Sequence, residues 1–345
     1  MSEIRAAMAD LLEGRTLSAD RLGSAMGEIM DGESTPVMAA SLLVALRMKG
    51  ETVEEIVSVA QALRSRATMV TPKDPKTVDT CGTGGSGLDT FNISTTAAFV
   101  VAGAGITVAK HGNRAASSQT GSFDVLEALG VRIDLPIATY VEILDEIGIA
   151  PFFARTAHPA FRHVAAIRAE LGVRTLLNCL GPLLSPVGAR YQVMGVYSEE
   201  LVECMAAALA RLGAIRALVV HGDDGLDELT TTGNSRAALV ADGTVTSLRI
   251  DPSSLGLARA SASDLAGGDV TQNAAITRDV LSGAKGPQRD IVLLNAAAAL
   301  WVVEAVPNLE AGLIRAAASI DSGSAAAKLT ALVSATADIE EVAAR

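Results

Sequence analysis

Apolar positions along residues 3–67 recur every three or four residues, in Ile4–Leu12, Leu22–Met30, Val37–Met48 and Val53–Leu63. That period lays each set along one stripe of a helix, so four short helices are predicted there, with no strand among them. Ser18 and Thr52 stand where N-caps belong, and Gly50 stands where a helix stops. Thr71-Pro-Lys-Asp-Pro75 then breaks the pattern, because each proline removes a donor and disfavours helix in the residue before it. A hinge or linker is expected at that point.

From Val78 onward the period changes. β-Compatible runs occur at Val78–Cys81, Ile106–Ala109, Gln192–Val196, Ala217–Val220, Ala237–Val240 and Thr244–Ile250. Helical stretches fall at Ala97–Gly103, Val125–Leu129, Glu199–Arg211, Asn273–Leu281, Arg289–Val303 and Leu309–Ile320. Alternation of this kind predicts an α/β layer architecture. Residues 137–171 read as helical again and are expected to pack with the N-terminal helices. The predicted organisation is a small helical domain, 1–70 joined by 137–171, and a larger α/β domain, 76–136 and 172–345.

The densest chemistry lies in Asp79-Thr-Cys-Gly-Thr-Gly-Gly-Ser-Gly-Leu-Asp-Thr-Phe-Asn-Ile-Ser-Thr95, with Lys110-His-Gly-Asn-Arg114 beyond it. Four glycines in the six residues 82–87 let a ligand approach the backbone without a Cβ in the way. A helix expected to begin near Ser94 or Thr95 would aim free N–H groups and its positive dipole end at that loop. The basic cluster adds cations at the end of a second β-like run, and together the segments describe a phosphate pocket. The loop is neither a Walker A loop nor a G-x-G-x-x-G fingerprint. Ser117 and Ser118 can alternatively cap the helix that follows. Asp223, Asp224, Asp227 and Glu228 form a second polar cluster after an apolar strand, open to two readings, a solvated surface loop or a cation site.

Composition narrows the partners. The 345 residues carry a net charge of −11 and only 3% aromatics, which argues against a nucleic-acid binder with a basic face or a base-stacking platform. No apolar run reaches the roughly 20 residues that span a bilayer, and Met1–Leu12 lacks the pattern of a secretory signal. Cys81, Cys179 and Cys204 are far apart without metal-type spacing, which fits a reducing cytoplasm better than a disulfide framework. A small anionic ligand, held by a few aimed groups, is the expected partner.

Four ordered segments carry a resemblance over nearly the whole chain: Cys81–Thr95, Lys110–Gly130, Asn178–Pro186 and His221–Thr230. The sequence resembles the anthranilate phosphoribosyltransferase family of nucleoside phosphorylase-like transferases. The resemblance implies a small all-helical domain beside a larger α/β domain with a central, mostly parallel sheet, and a homodimer formed through the helical domain. It implies transfer of the phosphoribosyl group of 5-phosphoribosyl 1-pyrophosphate (PRPP) to the amine of anthranilate, with Mg²⁺, as two ions, and release of pyrophosphate. The same fold serves pyrimidine nucleoside phosphorylases, and a catalytically inactive relative that binds nucleic acid is a further alternative.

By the same resemblance, Gly82, Gly85, Ser86, Thr90, Asn92, Ile93, Ser94, Thr95, Lys110, Asn113, Arg114, Ala115, Ala116, Ser117, Ser118 and Ser122 line the PRPP site. Gly82, Asn113 and Arg168 are implied for anthranilate, and Ser94, Asp227 and Glu228 for metal. His111 is a candidate to orient the amine and, with Gly181-Pro182, to border the ring; His158 lies in a segment resembling the acceptor channel or is a satisfied structural histidine. One departure stands out: the family usually has Asp where this chain has Ser86, which removes a negative charge beside the pyrophosphate and metal.

Overall fold

The computed structural model describes residues 2–115 and 120–337. Four helices come first: α1 (Glu3–Leu12), α2 (Ala19–Met30), α3 (Pro36–Lys49) and α4 (Val53–Arg64). The Ser18 hydroxyl accepts from Arg21 N–H, and Thr52 and Glu55 form a reciprocal capping box. Gly50 ends α3 with a φ of +84°, a conformation that costs glycine nothing.

The rest of the chain builds a seven-stranded sheet. In chain order the elements are β1 (Val78–Thr80), α5 (Ile93–Gly103), β2 (Val108–Gly112), α6 (Ser122–Ala128), α7 (Ile137–Ile147) and β3 (Ile149–Phe153). There follow α8 (Ala154–Ala157), α9 (Arg162–Leu171), β4 (Tyr191–Gly195), α10 (Leu201–Arg211), β5 (Arg216–Gly222), β6 (Ser235–Ala241) and β7 (Thr244–Ile250). Four helices close the described chain: α11 (Val270–Leu281), α12 (Pro287–Val302), α13 (Leu309–Asp321) and α14 (Ser324–Ala337). The strand order is β3-β2-β1-β4-β5-β6-β7, parallel from β3 to β5, with β6 and β7 added antiparallel.

Strand alternation divides the apolar residues between two cores. Val193, Leu218 and Val220 face the core shared with α5, α7 and α11–α14. Met194, Ala217 and Val219 face α10 and the helices α1–α4 and α9. The N-terminal bundle therefore closes on one face of the sheet.

Two expectations need correction. Residues 137–171 do not join the bundle as a block: Tyr140, Ile143 and Leu144 of α7 lie in the α5 core, and 149–153 is the edge strand β3, paired with β2. The run Ile149-Ala-Pro-Phe-Phe153 contains a proline, which demotes a strand reading, yet a sheet edge tolerates one. Residues 160–171, which include α9, and the segment after them pack on the bundle, through Ala160, Phe161, Val164 and Ile167. In addition, β2 begins at Val108 and runs to Gly112, so Lys110 and His111 are strand residues and not the loop beyond a strand. A lysine reads as a stop signal, but this one is buried with partners for its charge.

Candidate active site

β1 is flanked by β2 on one side and β4 on the other, so the chain's path reverses between β1 and β4. At such a switch point the loops leaving the two strand ends diverge and open a crevice at their carboxyl ends. Val78, Asp79 and Thr80 pair with Tyr191, Gln192 and Val193, which brings the glycine loop of residues 82–87 beside Gly195. Thr83 N–H donates to the Gly195 carbonyl at 2.8 Å, and Tyr197 N–H to the Thr83 hydroxyl at 3.1 Å.

A cavity opens there, lined by Thr80, Gly82, Ser94, Gly195, Asp227 and Glu228, with Asn295 at its back. Space at its wall is tight: a Cβ on Gly195 would lie 1.6 Å from the Asp227 carbonyl oxygen, and one on Gly82 2.9 Å from Asp227 Oδ2. Gly195 therefore requires glycine for the acidic loop to close on the strand end, whereas a side chain at Gly82 would displace the Asp227 carboxylate.

The four carboxylates after β5 separate into two jobs. Asp223 pairs with Arg249, and Asp224 accepts from Thr230 Oγ1 at 2.7 Å and Leu226 N–H at 3.1 Å, so these two build the loop. Asp227 and Glu228 turn into the cavity. The side-chain amide of Asn295 fixes the turn that follows them, accepting from Leu229 N–H at 3.1 Å and donating to the Leu229 carbonyl at 2.9 Å. Sequence reasoning missed Asn295; an asparagine within an apolar helix was its only signal.

Burial raises the pKa of both acids. Glu228 is pushed up to about 8, by desolvation first and by the neighbouring Asp227 charge second, against the pull of Lys110. Asp227 is raised by desolvation, partly offset by the Gly84 amide and the Ser86 hydroxyl. Lys110, buried, donates to the Thr80 carbonyl at 2.9 Å and to Ser94 Oγ at 3.3 Å. Asp79, fully buried, accepts from His111 N–H at 3.1 Å, and desolvation lifts its pKa to about 7 despite Lys110. The result is two acids, a hydroxyl and a lysine around one recess, an oxygen-rich set with cationic support.

The other predicted site residues fall in several settings. Ile93 opens α5, and Thr95 is buried within it. Asn92 accepts from Asn273 Nδ2 at 3.2 Å, and Thr90 bridges to Ala266. The Gly85 carbonyl accepts from Arg174, whose guanidinium lies 4.3 Å from the centre of the Tyr197 ring. Asn113 to Ala115 fold around Asp124, which accepts from Ala115 N–H at 2.9 Å and pairs with Arg114 at 3.0 Å; Ser122 Oγ donates to the Asn113 carbonyl at 3.2 Å. Arg114 is thus already committed to acids of α6. Ala116, Ser117 and Ser118 lie outside the described residues.

On the bundle side of the sheet, His111 and His158 meet edge to face, ring centres 5.4 Å apart. Burial holds both neutral, His111 down to about 3 and His158 to about 4. Arg168 is half-buried on α9, desolvation lowers its pKa, and among the described residues it has no carboxylate partner. A guanidinium left without an acid in a partly dry setting suits an incoming carboxylate.

A helical bundle beside an α/β domain, with its acids and lysine at a switch point, defines a two-domain group-transfer fold. The chain matches the glycosyl transferase family through its helical bundle domain at residues 5–67 and its a/b domain at residues 74–326. It is 52% identical to the anthranilate phosphoribosyltransferase of Moorella thermoacetica, over 96% of this chain and 97% of that one. It is 53% identical to that of Anaeromyxobacter dehalogenans strain 2CP-C, over 96% and 98%. The crystal structure of the Thermus thermophilus anthranilate phosphoribosyltransferase superposes with a TM-score of 0.92 at 43% identity, covering 98% of this chain and 100% of that one. The Saccharomyces cerevisiae enzyme in complex with PRPP and Mg gives 0.87 at 29% identity, covering 97% and 98%. The chain belongs to the anthranilate phosphoribosyltransferase family.

Proposed function

We propose that this chain transfers the phosphoribosyl group of PRPP to the amine of anthranilate and releases pyrophosphate. The observation that carries this reading is the recess at the β1/β4 switch point, where Gly82, Ser94, Asp227 and Glu228 converge within reach of Lys110. Ser94, Asp227 and Glu228 present the hard oxygens that Mg²⁺ prefers, and the unfavourable burial of two adjacent carboxylates is what a dication would relieve. Mg²⁺, as two ions held by these residues, would neutralise charge on the diphosphate and make it a better leaving group.

The protein's own part is positioning and electrostatics. The glycine loop donates backbone N–H groups and admits the diphosphate closely, while Lys110 supplies a fixed positive charge. The Arg168 fork orients the anthranilate carboxylate, and the neutral His111 and His158 border the ring. The aniline nitrogen is neutral at pH 7 with its lone pair free, so no strong general base is needed. His111, whose backbone N–H donates to Asp79, is a candidate to orient that amine. Exclusion of water by the bundle protects the activated sugar from hydrolysis.

The family's names favour this reading over a nucleoside phosphorylase or an inactive nucleic-acid binder. Among the described residues no helix is long and apolar enough to cross a membrane, and a cytoplasmic biosynthetic role is part of the proposal. So is a homodimer through the bundle, for which the exposed Leu12, Val37 and Met48 on α1 and α3 offer apolar surface. The test is loss of anthranilate fluorescence on mixing with PRPP and Mg²⁺; an unchanged signal across a magnesium titration contradicts the assignment.

A further inference from the structure

Strand parity gathers three different metal-binding side chains on the bundle-facing side of β1 and β2. Asp79 and Cys81 are two residues apart and point the same way. Val78 pairs with Val108, and that register carried forward sets Cys81 level with His111. One ligand atom from each of Asp79, Cys81 and His111 lies within 4.8 Å of the other two. All three residues are buried, at 0%, 9% and 2% exposure. Asp79 Oδ1 is committed to His111 N–H, yet Asp79 Oδ2 and both His111 ring nitrogens make no hydrogen bond of good geometry. Apart from the Gly181 backbone beside His111 and the Thr80 backbone beside Asp79, these three buried atoms lack the full partners such atoms almost always have, which leaves a place for a bound ion.

We propose that Asp79, Cys81 and His111 form a second cation site, separate from the Asp227–Glu228 pair, that takes a borderline-soft divalent ion of the zinc class. A thiolate, an imidazole and a carboxylate are the S, N and O donors that such ions prefer, whereas Mg²⁺ needs oxygen alone. Zinc–ligand bonds of about 2.0–2.3 Å place tetrahedral ligand atoms roughly 3.3–3.8 Å apart, so side-chain adjustments of about 1 Å complete the cluster. As the ion binds, the Cys81 S–H bond breaks, the sulfur–metal bond forms and the proton leaves to solvent. Three protein ligands leave a fourth position open for water. An ion here would also fix the His111 ring and add positive charge on the strand that carries Lys110.

The test uses full-length protein free of magnesium, with Cys179→Ala and Cys204→Ala so that Cys81 is the only one of the three cysteines left. Titration with Co²⁺ is expected to give a thiolate-to-cobalt charge-transfer band saturating at one equivalent. Zn²⁺ should abolish the band and excess Mg²⁺ should not. Adding Cys81→Ser should remove it, and His111→Gln should weaken cobalt binding at least about tenfold. No charge-transfer band in the double variant, or a band that survives when Cys81→Ser is added to it, overturns the proposal. Should the triple variant fail to fold, the double variant decides alone, since its only thiol is Cys81.

Discussion

Glu228 Oε1 accepts the backbone N–H of Ser94 at 3.1 Å, so a carboxylate from the β5–β6 loop caps the N-terminus of α5. A helix N-terminus is where an anion is stabilised, and here the protein's own acid holds that place. Glu228→Gln keeps an acceptor for Ser94 but removes the charge. It should lower kcat/KM by about 10²-fold or more and raise the magnesium requirement. Thermal stability should hold near pH 7 and rise above about pH 8, where the half-buried acid beside Asp227 would otherwise carry its charge. Kinetics across a magnesium series and a melting curve check both halves.

Ser86 tests the same electrostatics from the other side. Its hydroxyl supports Asp227, whose pKa burial already raises. Ser86→Asp adds a third carboxylate near the pair, so the apparent affinity for PRPP or its dependence on Mg²⁺ should change. Unchanged kinetics through a magnesium titration would refute this.

Arg168 should act on the acceptor alone. Losing a charge-assisted hydrogen bond costs about 1.5–3 kcal/mol, so Arg168→Ala should raise KM for anthranilate roughly 10–100-fold and leave KM for PRPP nearly unchanged. Arg168→Lys should recover only part of the loss, since an ammonium lacks the planar fork. Equal effects on both substrates would place Arg168 elsewhere in the mechanism.

The buried histidines set an acid limit on stability. Their folded pKa values, about 3 for His111 and about 4 for His158, lie below the ordinary 6.5. Between those values the unfolded chain binds more protons, so stability is lost as pH falls from about 6.5 toward 4. Melting temperatures of wild type should drop over that window, and His111→Gln with His158→Gln should flatten the drop.

Glu55 gives a control far from the chemistry. Its fully buried carboxylate receives Lys49 Nζ at 2.9 Å and Thr52 N–H at 3.0 Å in the bundle. Lys49→Met leaves that charge without its cation and should cost roughly 3–5 kcal/mol. Denaturant unfolding should show the loss while KM values at 25 °C stay unchanged.

Much of this was legible in the chain, and the omissions have physical causes. The helices α1, α2 and α4 show a clear 3.6-residue period because one face of each is dry, whereas α3 is apolar nearly all round. The glycine loop and the Asp227-Glu228 pair stand out because polar residues crowd between apolar runs. β3 was hidden by Pro151 at a sheet edge, and the strand character of Lys110 by a charge whose partners, Thr80 and Ser94, are distant in sequence. Asp79 and Asn295 were overlooked for a similar reason: their roles depend on His111 and Leu229, which only the fold brings to them.

A crystal of the enzyme soaked with PRPP and Mn²⁺, read by anomalous scattering, reaches the core of the account most directly. The manganese peak is expected against Asp227 and Glu228, with the diphosphate between the glycine bend and Lys110. Manganese and diphosphate bound instead at the Arg114 turn, away from the meeting of β1 and β4, would contradict it.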